Sequence, residues 1–303
     1  MDGARSIKKA TAVKWSYSWG GKQLPAHLRR VGALLPLITV LIYLIVFYIY
    51  PISKMFLLSI FDPHFTLEHY IHLFTVPLYI DRLIVTLKIS LIVAVSCLIL
   101  GYPIAYLLIN TSATIRNLVL MMVVASMWIS ILVRTYAWIA ILGRNGLVNQ
   151  ALMSMGLTTS PMQFIYNFSG VLIGMIHVLL PFAILPIYSV MSGIDKDQVK
   201  AAENLGANPF KAFIRVVFPL SLPGVAGSLM LIFMMSLGFY VTPLLLGSAS
   251  EIMIANLIDV QVTVALQWGF GSAIAVALLI SALIIIAFYN RYLGMSRMFG
   301  VDP

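Results

Sequence analysis

The sequence predicts an all-α integral membrane protein of about six transmembrane helices, on three observations. Of its 303 residues 61% are hydrophobic and only 10% charged, whereas soluble domains carry roughly 25% charged residues. Mean hydropathy is +1.00. The apolar residues also gather into six runs, each near the roughly 20 residues that a helix needs to cross a bilayer. A water-soluble fold of this length has too little interior to hide so much apolar surface.

The runs cover residues 33–58, 83–108, 118–142, 170–192, 222–246 and 272–293. They are too long and too uniformly apolar for barrel strands, so helices satisfy their backbone groups. Residues 1–30 are polar and basic, and the apolar run that follows is too long for a signal h-region and lacks a small-residue cleavage site. It is expected to stay as the first anchor. The arm 1–30 sets Trp15, Tyr17 and Trp19 among cations, a mixture that suits either an interfacial segment or a disordered basic tail.

Charge orients the spans. The net charge is +9, but the cations lie between apolar runs rather than on one soluble face, which argues against nucleic-acid binding. Most of the 19 Lys and Arg fall in 1–32, in 109–117 (Arg116), in 193–221 (Lys196, Lys200, Lys211, Arg215) and around the last helix end (Arg291, Arg297). The segment 247–271 holds Glu251 and Asp259 and no cation. The positive-inside bias therefore predicts that both termini are cytoplasmic. The single cysteine, Cys97, sits in an apolar run and reads as a small packed hydrophobe. No internal repeat is visible, so six helices without symmetry read as half of a transporter.

The loop between the fourth and fifth runs, GIDKDQVKAAENLGANPFKAFIRVVFPLSLPG, carries most information. Asp195 or Asp197 can cap a first helix running through Val199, Ala201, Ala202 and Leu205. Gly206 falls where a left-handed residue ends such a helix. Asn208 and Pro209 form an N-cap and first-turn pair for a second helix. Phe210, Phe213, Ile214 and Val217 then recur at helical spacing, and Pro219 is expected to stop the run. By composition alone the segment is either a docking handle or an amphipathic linker.

Here a resemblance decides. The stretch is similar to the signature cytoplasmic loop of permease subunits in bacterial binding-protein-dependent ABC importers: Glu-Ala-Ala, three residues, Gly, nine residues, Ile, one residue, Leu-Pro. The matching positions are Lys200, Ala201 and Ala202, then Gly206, Val216, Phe218 and Pro219, with Glu203 inside the motif. The spacing agrees throughout, and Lys200 departs from the usual Glu. TVPLYIDRLIVTLKIS, LGYPIAYLL, ILVRTYAWIAILGRNGLVN, GVLIGMIHVLLPFAILPIYSVM and SLGFYVTPLLLG resemble permeases of the spermidine/putrescine group, over roughly residues 31–293.

The resemblance implies a type I, MetI-like permease fold in a bacterial inner membrane. The chain would work with a second permease, two cytoplasmic ATPase subunits and an external substrate-binding protein. Its domains would be the basic arm 1–32, the first helix 33–58, an external loop 59–82, a permease core 83–293 containing the coupling loop 193–221, and a tail 294–303. It would be no enzyme itself, with no cofactor of its own: ATP and Mg2+ would belong to the ATPases, and GGKQ at Gly20–Gln23 lacks the spacing of a phosphate-binding loop. Polyamines would be the cargo. Related permeases carry other small amino compounds, opines, phosphonates or iron.

Outside the loop, His64, His69 and His72 with Asp62 and Glu68 offer a metal constellation, yet an aromatic-rich loop packed on the bundle fits them better. His177 reads as a packed intramembrane histidine. Lys88 and Arg134 are intramembrane cations, for which snorkelling to the surface is the first expectation. Arg134, Tyr136 and Trp138 are candidates for the external mouth of a path, and Ser236, Tyr240 and Thr242 for its lining near Gly238 and Pro243. All ten acidic residues lie outside the spans or at their ends, which disfavours a membrane-embedded enzyme. A membrane scaffold would leave the loop spacing without a reason.

Overall fold

A computed structural model describes residues 36–293, together with two short strands, β1 (Ser18–Trp19) and β2 (Lys22–Gln23). The strands pair antiparallel, Ser18 facing Gln23 and Trp19 facing Lys22. Most of the arm 1–30, and with it the choice between interfacial segment and tail, lies outside the described residues. The chain forms two units, one ending at Met55 and the other starting at Phe56. The first contains most of helix α1 (Pro36–Leu58), which is apolar on every side, as a lipid-facing span requires. A π turn at Ile45–Ile49 interrupts it.

The second unit continues with α2 (Glu68–Thr75), α3 (Pro77–Ile109), α4 (Ala113–Met127), α5 (Ile131–Leu142) and α6 (Leu147–Ser154). Then come α7 (Phe168–Leu179), α8 (Pro181–Ser192) and α9 (Lys196–Asn204). The helical path α10 (Pro209–Leu237) precedes the short α11 (Val241–Leu246), α12 (Ile254–Val264) and the long α13 (Trp268–Leu293). Helices α1, α3, α10 and α13 are each long and apolar enough to cross a membrane. Two more spans arise if bent pairs count as one each: α4 with α5 and α6, bent by 100°, and α7 with α8, bent by 42°.

Three of the expected runs therefore change: the fourth, expected over 170–192, divides into α7 and α8, and two others change further. The third, expected as one helix over 118–142, breaks at Trp128–Ser130. The fifth, expected over 222–246, begins at Pro209 and ends at Leu237. The apolar pattern carries no mark of the first break, whereas the fifth run stops at Gly238, inside the polar segment that holds Ser236, Tyr240 and Thr242. Pro219 does not stop its helix either. A π turn at Phe213–Val217 lies just before it, with Phe218 N donating to Phe213 O. The widened turn accommodates a residue with no N–H to donate, and the helix runs on.

The core lies where α3, α8 and α10 pack together around Ile89, Val93, Cys97, Leu179, Ala183, Ile187 and Ile232. Cys97 is fully buried and points its Sγ at Ile176 O, 3.7 Å away. Small residues bring the helices close: a Cβ added to Gly101 would lie 2.8 Å from Ala183 Cβ, and one on Gly224 3.0 Å from Val190 Cβ. Such contacts substitute for a hydrophobic driving force that lipid cannot supply between helices. At the other end His72, Tyr79 and Phe270 stack edge to face, Phe270 sitting 4.9 Å from both rings. His69 lies against the same ring at 6.2 Å, which agrees with a packing role for the loop histidines.

Gly101→Ala is expected to lower the melting temperature of the detergent-purified protein, with overpacking costing about 1–3 kcal/mol. Gly227, whose added Cβ meets nothing within 4 Å, supplies the control: Gly227→Ala is expected to hold or raise stability by up to about 1 kcal/mol.

Candidate functional site

The loop between α8 and α10 is built by local capping. Asp195 caps α9, its Oδ1 accepting from Asp197 N at 2.9 Å. The helix closes at Gly206, where φ is +86°. Gly206 N donates to Glu203 O at 2.9 Å and Ala207 N to Ala202 O at 3.0 Å, satisfying carbonyls the helix end would leave open. An added Cβ there meets nothing within 4 Å, so glycine is required by backbone conformation rather than by space. Asn208 Oδ1 then accepts from Lys211 N at 2.8 Å, with Pro209 in the first turn.

The loop offers a surface and a lever. Leu205 is 90% exposed and Phe210 69% exposed at its tip, two large apolar side chains on an otherwise polar turn. Behind them Phe213 stacks on Tyr106 at 4.9 Å and on Tyr102 at 6.1 Å, and Phe218 lies 5.9 Å from Tyr102. Tyr102 OH is 3.0 Å from Ser221 Oγ. This aromatic clamp fixes the base of the loop to the end of α3. Tyr102 and Tyr106 sit four apart on one helix face, the signal that sequence reasoning passed over. Lys200 pairs with Asp197 at 3.0 Å on the solvent side, an exposed contact of little energetic weight.

Among the candidate path residues, the structure brings some together and separates others. Thr135 Oγ1 donates to Ile131 O and lies 3.4 Å from Thr242 Oγ1, which ties α5 to α11. Trp138 Nε1 donates to His177 Nδ1 at 3.1 Å, so His177 is a satisfied partner. Tyr240 OH donates to Asp259 Oδ2 at 3.3 Å in the break after Leu237. Ser236 is fully buried, and its hydroxyl has no partner among the described residues. Tyr136 is exposed and apart from this group. Arg134 does not snorkel. It is 9% exposed, and its Nε and Nη1 have no hydrogen-bond partner among the described residues. Lys88 is exposed and stands over the Phe168 ring, 5.9 Å from its centroid.

Irregular backbone on the same side is pinned from a distance. Arg82, beside Asp81, donates from Nη1 to Ala249 O at 3.1 Å and Ser250 O at 2.6 Å. Thr86 Oγ1 accepts from Ile254 N at 2.8 Å. These contacts join residues more than 160 apart, and nothing local in the sequence signals them. Burial pushes the Glu251 carboxyl up, but donors from Ser248 Oγ, Ser248 N and Ser250 Oγ outweigh it and hold the group below the usual carboxylate value.

The family described as binding-protein-dependent transport system inner membrane component matches residues 97–294, which take in the loop and the breaks just described. The chain belongs to that family. This permease is 34% identical over 227 residues to the spermidine/putrescine transport system permease protein PotB of Escherichia coli (strain K12), covering 75% of this chain and 82% of that one. The protein of the same name from Haemophilus influenzae (strain ATCC 51907 / DSM 11121 / KW20 / Rd) is 34% identical over 233 residues, covering 77% and 81%. In fold, the permease matches a chain of a bacterial alginate ABC transporter crystallised with its alginate pentasaccharide-bound periplasmic protein. The TM-score is 0.76 at 19% identity, over 92% of this chain and 98% of that one. The all-α permease fold expected from the sequence is thus the observed one, and the chain is a multi-pass inner membrane component of a binding-protein-dependent ABC system.

The hydrogen bonds to Glu251 set a pH dependence in the permease. Its folded carboxyl titrates below the unfolded one, so the stabilisation is complete above the ordinary carboxylate range and is lost as pH falls through the depressed value. The melting-temperature gap between wild type and Glu251→Gln is expected to be constant near neutral pH and to close on acidification. A gap independent of pH would remove the carboxylate from the stability of this loop.

Proposed function

We propose that this permease forms half of the translocation path of an ATP-driven importer and carries a polyamine delivered by an external binding protein. In this reading a second permease supplies the other half, and two cytoplasmic ATPase subunits bind ATP and Mg2+ and perform the hydrolysis. Both termini and the loop 193–221 face the cytoplasm. The observation that carries the reading is the pair of exposed apolar side chains, Leu205 and Phe210, on a capped turn clamped to the core. Apolar residues held in water on a rigid turn suit a protein cleft. Lys200, Ala201, Ala202, Glu203, Gly206, Val216 and Pro219 form the coupling loop around them. Identity of about a third over three quarters of the chain with proteins named for spermidine/putrescine transport supports the cargo.

One observation favours a second reading of the cargo. Arg134 keeps two donors buried without a hydrogen-bond partner among the described residues, next in sequence to Thr135, which reaches the candidate path residue Thr242. A buried cation repels a polycation and attracts an acid, which suits an amino compound that also bears a carboxylate or phosphonate. A carboxylate from the second permease would neutralise Arg134 and restore the polyamine reading.

Leu205→Ser combined with Phe210→Ser is expected to leave folding and membrane insertion intact, because both side chains are already exposed. Retention of ATPase subunits in pull-downs should fall at least tenfold, and binding-protein-stimulated hydrolysis with it. Gly206→Val, which forces a β-branched residue into a left-handed conformation at about 1–2 kcal/mol, should give the same loss. Normal transport by both variants would reduce the loop to a linker.

Proteoliposomes holding the whole complex are expected to accumulate labelled spermidine only with ATP inside and binding protein outside. Accumulation of 2-aminoethylphosphonate in its place, abolished by Arg134→Met, would replace the polyamine assignment while leaving the permease assignment intact.

A further inference from the structure

A cavity of about 320 Å3 lies between the coupling loop and the helix ends. Its lining combines the cations Arg116, Lys196 and Lys200 and the tyrosines Tyr106 and Tyr188 with aliphatic side chains that include Ile109, Met191 and Val217. We propose that this cavity binds the head-group phosphate of an anionic phospholipid.

Depth supports this occupant. Ile109 is the last residue of α3, Ser192 the last of α8, and Arg116 lies in the first turn of α4. The cavity therefore opens at the level where the spans end, which is where head groups lie. Charge supports it as well. Asp197 takes part of the Lys200 charge at 3.0 Å, while Arg116 and Lys196 form no ion pair among the described residues. Three cations together with aliphatic side chains match an amphiphile whose head is an anion, since basic pockets between span ends hold such heads. A soluble anion would leave the aliphatic lining uncovered. The cavity is also separate from the tip that the ATPase would meet, because Leu205 and Phe210 do not line it. Lys200, where the family motif has Glu, adds positive charge to this lining and gives that departure a physical role.

The occupant would couple bilayer composition to the loop, because one ligand would hold α3, α4 and α8 to α9. The inference holds whatever solute is carried.

The test uses the purified complex in nanodiscs of phosphatidylcholine alone or of phosphatidylcholine with phosphatidylglycerol. Native mass spectrometry should find phosphatidylglycerol retained by the wild-type complex. Retention should fall about fivefold for each cation removed in Arg116→Gln and in Arg116→Gln with Lys196→Gln. Phosphatidylglycerol should raise binding-protein-stimulated hydrolysis in wild type but not in Arg116→Gln, whose rate in phosphatidylcholine should equal that of wild type. If the double variant fails to assemble, the single variant decides alone. Equal retention by wild type and Arg116→Gln would overturn the proposal. So would a rise produced in phosphatidylcholine by inorganic phosphate, which would make the ligand a free anion.

Discussion

An apolar medium offers no water to a freed backbone group, and this constraint decides where the chain can bend and what holds each bend. Asn256 Nδ2 donates to Tyr240 O at 2.9 Å in the gap between α10 and α11, while its Oδ1 accepts from Met253 N. Asn149, fully buried, donates to Gly143 O and Met162 O and accepts from Met162 N. Leu246 O, at the end of α11, accepts from Tyr166 N at 2.7 Å. These three interruptions of helix each have a polar side chain or a neighbouring stretch of backbone assigned to them. Between α7 and α8 the break falls at Pro181, which has no N–H to donate to the carbonyl four residues back, and the helix bends by 42° there.

This explains which parts of the molecule were legible in the sequence. Caps are local: Asp195, Gly206, Asn208 and Pro209 hold the roles that their types and spacing implied. The all-α membrane class and the family were legible because composition and a long motif carry them. The break at Trp128–Ser130 was not, because hydropathy is blind to it, whereas Gly238 and the polar residues around it did signal irregular backbone where α10 ends. Pro219 misled for a related reason. Its tolerance depends on a π turn next to Phe213, and Phe213 is held by Tyr102 and Tyr106 more than 100 residues earlier. Tertiary contacts overrode a local rule.

Charge shows the same division. Lys88 behaves as an intramembrane cation should when it reaches an aromatic ring near the edge. Arg134, also expected to reach outward, is instead buried, in a helix that Thr135 ties to Thr242. The apolar neighbours of the two residues are alike, so only packing distinguishes them. Arg82 belongs to a third kind: it spends its donors on carbonyls of the 247–253 segment and so holds irregular backbone in place.

Geometry then links the loop to the interior of the membrane. The helical path from Pro209 to Leu237 has 29 residues, about 43 Å at 1.5 Å per residue, against a hydrocarbon core of about 30 Å. The helix is therefore long enough to tilt across the core or to extend beyond it, and the capped turn with Leu205 and Phe210 is attached to its N-terminal end. Through its length α10 packs on α3 and α8 at glycine and serine contacts, where Ser228 Oγ reaches Ala183 O at 3.4 Å. Close-packed interfaces of this kind shift between discrete arrangements rather than bending continuously. In the coupling proposed above, a displacement at Phe210 would pass through the π turn at Phe213–Val217 and along this helix to its end at Gly238–Tyr240, beside Ser236 and Thr242.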